Sequence, residues 1–166
     1  MSEQELPFSD WQQPPRAQLD ELDYRIVDAL MRDSRASFRN LALKLKVSPA
    51  TLITRVRRLE QEKIILGYTA EINFSKLGFE YMALIEATIT KGALLEVQKK
   101  IAHMHGVVAV YDVTGESDSL VVARCRSRGD LSRLVKKILA IPNVQRTNSH
   151  IILNIIKEGS HLLPEV

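Results

Sequence analysis

The sequence has a single cysteine, few aromatic residues and no long apolar run, and each shortage excludes something. Cys125 has no partner within the chain, which rules out an internal disulfide, a zinc knuckle and a dithiol redox pair. Aromatic residues make up 5% of the 166 residues, too few to point to a base-stacking platform or a carbohydrate cleft. No stretch of about 18 apolar residues is present. The opening MSEQELPFSDWQQPP has neither the basic end nor the apolar core of a secretory signal, so the expected compartment is the cytoplasm, with no membrane partner. What remains, 45% hydrophobic and 26% charged, suffices for one medium domain or two small ones.

Net charge is +3, and its distribution says more than its sum. Residues 1–18 carry net −2, residues 19–78 net +3 and residues 79–166 net +2. Between Ser34 and Leu59 stand seven basic residues (Arg35, Arg39, Lys44, Lys46, Arg55, Arg57, Arg58) and no acid. A stretch of one sign attracts polyanions.

The spacing of apolar residues divides the chain. Residues 1–18, with Pro7, Pro14, Pro15 and the lone Trp11, show no period and read as a tail. Leu22, Ile26, Ala29 and Leu30 then define a helix over about 20–32, with Asp20 as cap and Asp23 three residues on. Ser37 caps a short second helix bearing Leu41, Ala42 and Leu45. After Lys46-Val47, Ser48-Pro49 supplies a cap and a first-turn proline for a third helix reaching about Lys63. The period becomes two at Tyr68, Ala70 and Ile72, which predicts a short strand, and Leu77-Gly78 marks a domain boundary near 78.

Beyond it the pattern predicts strand 81–90, helix 94–105 ending at Gly106, strand 107–114, strand 119–126, helix 130–141 and strand 144–156. That order, βαββαβ, is the split βαβ or ferredoxin-like arrangement, two helices on one face of a four-stranded antiparallel sheet. Ala102-His-Met-His-Gly-Val107 and Ala140-Ile-Pro-Asn-Val144 share a cadence, consistent with an internal duplication. The uncovered face of so Val- and Ile-rich a sheet is a natural surface for a homodimer.

On the third helix Leu52, Val56 and Leu59 form the buried stripe, which turns Ala50, Thr51, Thr54, Arg57 and Arg58 outward. Small, hydroxylated and basic side chains without an acid are what a recognition helix presents to the major groove of double-stranded DNA. Arg55 borders the core and either grips phosphate or pairs with a first-helix acid such as Asp23 or Asp28. Ser37, Arg39 and Ser48 stand at helix starts where they can touch the DNA backbone. A solvated amphipathic helix is the plainer alternative. The short second helix, tight turn, capped restart and acid-free window together favour a helix-turn-helix, with residues 64–74 as its wing.

The string LDELDYRIVDALMRDSRASFRNLALKLKVSPATLITRVRRLEQEKIILGYTAEINFSKLG resembles the N-terminal part of the Lrp/AsnC family of feast/famine transcriptional regulators. The later segments TGESDSLVVA and IPNVQRTNSHIIL resemble that family's ligand-sensing domain. The resemblance implies an α+β chain: tail 1–18, winged helix-turn-helix with linker strand 19–78, ferredoxin-like βαββαβ sandwich 79–158 for sensing and oligomerisation, and a tail 159–166. It also implies dimers assembling to an octamer, and no cofactor. Lys46 and Lys63 depart from it, since the family usually carries Gly at both; a left-handed backbone there costs a Cβ-bearing residue about 1–2 kcal/mol.

The turn Thr114-Gly115-Glu116-Ser117-Asp118 offers a second site. Gly115 lets backbone amides approach a small anion and Asp118 can hold an ammonium group, the two ends of a free amino acid. Gly and Asp in a hairpin are more often plain turn formers. The resemblance favours the functional reading, because effectors of similar proteins bind between dimers near this loop, with Thr147 and Ser149 close by. His103 and His105 lack a third ligand, so no metal site is expected. Two alternatives stand beside the regulator: a siroheme-decarboxylase-like enzyme on the same fold, and a nucleoid-packing protein without sequence preference.

Overall fold

The computed structural model describes residues 17–159. The expectations for residues 1–16, Trp11 included, and for residues 160–166 lie outside the described residues. The chain divides into two units, one reaching Ala70 and one spanning Glu71–Glu158.

The first unit is three helices, α1 (Glu21–Arg32), α2 (Phe38–Leu45) and α3 (Pro49–Gln61). Asp20 and Asp23 open α1 with a reciprocal capping box, each side chain accepting from the other's backbone N–H. Ser37 and Ser48 cap α2 and α3 by accepting from Asn40 N and Thr51 N. Ile26, Ala29, Leu30, Leu41, Ala42, Leu45, Leu52, Val56 and Leu59 form the core, so the apolar stripes read from the sequence converge on one another. Between α2 and α3 the turn passes through Lys46 at φ 58°, and Val47 N donates to Ala42 O at 3.0 Å. Lys63, at φ 60°, closes α3 in the same conformation. Both left-handed positions therefore carry a side chain.

The wing strand is a correction. No strand occurs between Gln61 and the single 3-10 turn at Ser75–Leu77. The period-two residues Tyr68 and Ile72 stay exposed, and nothing among the described residues supplies the ladder an isolated strand requires.

The second unit holds β1 (Tyr81–Ile89), α4 (Leu94–Ala102), β2 (Val107–Asp112), β3 (Ser119–Cys125), α5 (Arg128–Leu139) and β4 (Val144–Ile151). All strands pair antiparallel in the order β2-β3-β1-β4. Ala83, Ile85, Ala87 and Ile89 of β1 and Val121, Ala123 and Cys125 of β3 are buried against Val97 and Ile101 of α4 and Leu131, Leu134 and Ile138 of α5. Alternation puts Met82, Leu84 and Glu86 of β1, Leu120 and Val122 of β3 and Tyr111 of β2 on the opposite face, which no helix among the described residues of this unit covers.

The two helix-to-strand junctions match bond for bond. Met104 N donates to Ile101 O and Val107 N to Met104 O, as Ile141 N does to Ile138 O and Val144 N to Ile141 O. Gly106 (φ 90°) and Asn143 (φ 73°) stand at equivalent left-handed positions, and their carbonyls accept from Arg124 N and Thr90 N at 2.8 Å. The helix itself ends earlier than expected, with His103 rather than Gly106 at the cap of α4. A Cβ on Gly106 would lie 3.0 Å from Arg124 O, which is why glycine serves there.

The division at Ala70 precedes the boundary expected near 78, and aromatic packing explains it. Phe74 and Phe79 meet edge to face with centroids 6.0 Å apart. The guanidinium of Arg124 lies 4.7 Å over Phe74 and that of Arg126 5.3 Å over Phe79, which ties the linker to the end of β3. Arg124 also pairs with Glu158 at 2.9 Å.

Candidate nucleic-acid interface and effector loop

Along α3 the outward residues Ala50, Thr51, Thr54 and Arg57 are exposed, as are Ser48 at its cap and Ser37 and Arg39 at the start of α2. Leu52, Val56 and Leu59 are buried beneath them. Several hydroxyls are already engaged. Ser48 Oγ lies 2.8 Å from Thr51 Oγ1, and Thr54 Oγ1 donates to Ala50 O at 3.0 Å. Thr54 therefore turns outward a methyl group and a hydroxyl oxygen that can only accept. Arg57 has no ion pair among the described residues.

Arg55 and Arg58 behave differently. Arg55 Nη1 contacts Asp20 Oδ2 at 2.6 Å and Asp23 Oδ1 at 3.1 Å, so of the α1 acids expected as its partners Asp23 is one it meets. Arg58, also expected to face DNA, is half-buried: its Nη2 is bound to Asp23 Oδ2, and its buried Nε has no hydrogen-bond partner among the described residues and lies 3.8 Å from Glu62 Oε1. The reason is Asp23, whose fully buried carboxylate needs compensating charge. Two guanidiniums from α3 supply it. Asp20, held by the backbone N–H of Asp23 and then by Arg55, stays below the usual carboxylate range. Sequence reasoning named Asp23 as a possible partner of Arg55 but missed that its carboxylate is buried and that Arg58 joins it; the place of Asp23 one residue beyond Leu22 and three before Ile26, on the buried side, was the available signal.

In the second unit the turn between β2 and β3 reaches the end of β1. Asp118 N donates to Ala87 O at 3.1 Å, and Asp118 Oδ2 accepts from Ile89 N at 2.8 Å, just where the β1–β4 register shifts between Thr88 and Ile89. One oxygen of Asp118 is thus a brace for a bulge, in addition to any ligand it meets. Below the turn the buried Ser119 donates to Tyr111 O at 3.1 Å and accepts from Gln98 at 3.3 Å. Gly115 adopts φ 136° with open space where a Cβ would stand, while Thr114 and Glu116 are exposed and Ser117 half-buried. Across β1, Thr147 pairs with Ala87 and Ser149 with Ile85. Loop and Thr147 therefore flank the same end of β1, and Ser149 lies about 7 Å farther along β4.

Cys125 is buried, and burial pushes its thiol up, with the carboxylate of Asp130 adding to the shift. His103 is exposed, its Nδ1 2.7 Å from Lys99 O.

A model of the AsnC-type helix-turn-helix domain matches residues 19–60, and one of the Lrp/AsnC ligand-binding domain matches residues 82–162. The chain belongs to the Lrp/AsnC family. It is 41% identical over 147 residues to an uncharacterized HTH-type transcriptional regulator of Pyrococcus furiosus, covering 89% of this chain and 99% of that one. Among solved structures it is similar to the feast or famine regulatory protein of M. tuberculosis complexed with L-methionine (TM-score 0.83, 31% identity, 89% of this chain and 100% of that one). It also resembles a transcriptional regulator/L-Met complex from Neisseria meningitidis (TM-score 0.83, 25% identity, 88% and 97%). This Lrp/AsnC chain is thus a transcriptional regulator with a DNA-binding helix-turn-helix domain and a ligand-binding domain. No helix among the described residues is long and apolar enough to cross a membrane.

Proposed function

We propose that the protein is a sequence-specific cytoplasmic regulator whose α3 reads the major groove and whose β2–β3 loop takes a free amino acid as effector. The observation that carries the reading is the outward face of α3, where Ala50, Thr51, Thr54 and Arg57 are exposed with no acid among them. Arg57 is assigned to a base edge or phosphate, Thr54 to a thymine methyl or a base donor, and Ser37, Arg39 and Ser48 to phosphates. Arg55 and Arg58 position the helix through Asp20 and Asp23. The protein acts as a homodimer through the uncovered sheet face, assembling to an octamer, and needs neither cofactor nor catalytic residue. The effector's carboxylate meets amides around Gly115 and its ammonium the free oxygen of Asp118, with Glu116, Ser117, Thr114, Thr147 and Ser149 as rim. Two similar proteins solved with L-methionine support an amino acid in this role.

The test is the ratio of affinities for DNA upstream of the protein's own gene and for scrambled DNA, at one stated salt concentration. Arg57→Ala and Thr54→Ala are each expected to lower that ratio by about 1–3 kcal/mol. Unchanged ratios in both would remove α3 from the role of reader, and a wild-type ratio of one would favour bulk DNA packing.

A further inference from the structure

Charge in the second unit is segregated. Residues 91–105 and 127–140, which contain α4 and α5, carry seven basic residues and two acids; the rest of Glu71–Glu158 carries five basic residues and seven acids. Both acids of the helical layer are already neutralised, Glu96 by Lys100 at 2.6 Å and Asp130 by Arg133. Lys91, Lys99, Arg128, Lys136 and Lys137 are all exposed and carry no ion pair among the described residues. Their direction follows from the core. With Leu131, Leu134 and Ile138 turned to the sheet, Lys136 and Lys137 point away from it, and Val97 and Ile101 do the same for Lys99. Because α4 and α5 cover one face of one sheet, these cations share a surface.

We infer that the outer surface of α4 and α5 is a second binding surface, for the phosphate backbone of duplex DNA, distinct from α3. The inference rests on the DNA-binding reading above. Four of the five free cations are lysines, point charges on flexible stems that suit a repeating polyanion and carry no geometry for a base edge. Among the described residues of this surface no buried donor is present to favour a single small anion. A duplex held by α3 is already at high local concentration for the rest of the chain, so weak contacts suffice.

The experiment measures affinity for a long duplex, about 150 base pairs, against salt, for the wild type and for K99Q/K136Q/K137Q. The slope of log K against log salt is expected to fall by about 0.9 for each lysine that contacts phosphate, with the ratio of specific to scrambled affinity unchanged. An unchanged slope overturns the inference while leaving the α3 reading intact; loss of sequence preference in Arg57→Ala tests that reading separately. A second measurement needs no variant. In the wild-type protein, DNA is expected to shield Lys99, Lys136 and Lys137 from acetylation as read by mass spectrometry, and equal labelling with and without DNA overturns the inference.

Discussion

Lys46 sits at φ 58° and ψ 43°, where an L side chain crowds the backbone and glycine does not. Relieving that strain is worth about 1–2 kcal/mol, and the added freedom of glycine in the unfolded chain takes back about 0.4–1. Lys46→Gly is therefore expected to stabilise the helix-turn-helix unit by about 0.5–1 kcal/mol, read by urea denaturation followed through helical circular dichroism; a loss of stability would show that the lysine stem makes a compensating contact. Here the sequence was sufficient, since a tight turn between two capped helices demands the left-handed conformation whatever residue fills it. Arg58 is the opposite case. Its helical angle points outward, yet a guanidinium on a long stem reaches where a buried carboxylate calls it, and the wheel carries no term for reach. Breaking a fully buried pair costs about 3–5 kcal/mol, less here because Arg55 and Arg58 keep about a third of their side chains in water.

The same acids govern α1 and α3 as elements. Asp20 caps α1 and pairs with Arg55, so one small carboxylate closes a helix and fixes the angle of its neighbour. Its pKa lies below the ordinary value because the Asp23 N–H, and after it Arg55, favour the charged form. A depressed carboxylate contributes stability that is present above its unfolded pKa and is lost as pH falls through the folded one. Asp20→Asn keeps an effective cap and removes the charge. The variant is thus expected to be less stable than the wild type at neutral pH, with the difference closing below about pH 4 in acid titrations of helix content; a gap that persists at low pH would assign the effect to capping geometry. Other elements were legible from pattern alone. β1 and β3 were predicted to within a residue because their buried faces alternate, and each helix of the first unit because its cap and stripe agree; β4 starts where expected but ends at Ile151, five residues before the expected 156, and has no buried face to mark its end. The wing was not legible, since Tyr68, Ala70 and Ile72 alternate without anything among the described residues to pair with. Nor was the boundary at Ala70, where Arg124 of β3 and Arg126 just beyond it stack over Phe74 and Phe79, a contact between segments far apart in sequence.

At the scale of the molecule, the proposed regulation requires that an effector bound at the loop of the second unit alter how the DNA-binding heads are presented. In the proposed reading the β2–β3 turn is suited to this because Asp118 would serve two functions that differ chemically. Toward β1 it is an acceptor, holding Ile89 N at a bulge; toward a ligand it is a charge. Asn can accept the same backbone hydrogen but cannot attract an ammonium group, whereas Ala can do neither. Asp118→Asn is accordingly expected to keep thermal stability and operator affinity near wild type while losing the change in affinity or assembly produced by L-methionine or a pool of amino acids. Asp118→Ala is expected to lose that response and, with a part-buried N–H left unpaired, about 1–3 kcal/mol of stability as well. Fluorescence anisotropy on operator DNA and light scattering, each with and without the amino acids, separate the two. If Asp118→Asn retains the full response, the carboxylate serves the bulge alone and the effector is held elsewhere; if it loses response and stability together, the loop's shape rather than its charge is what the ligand reads.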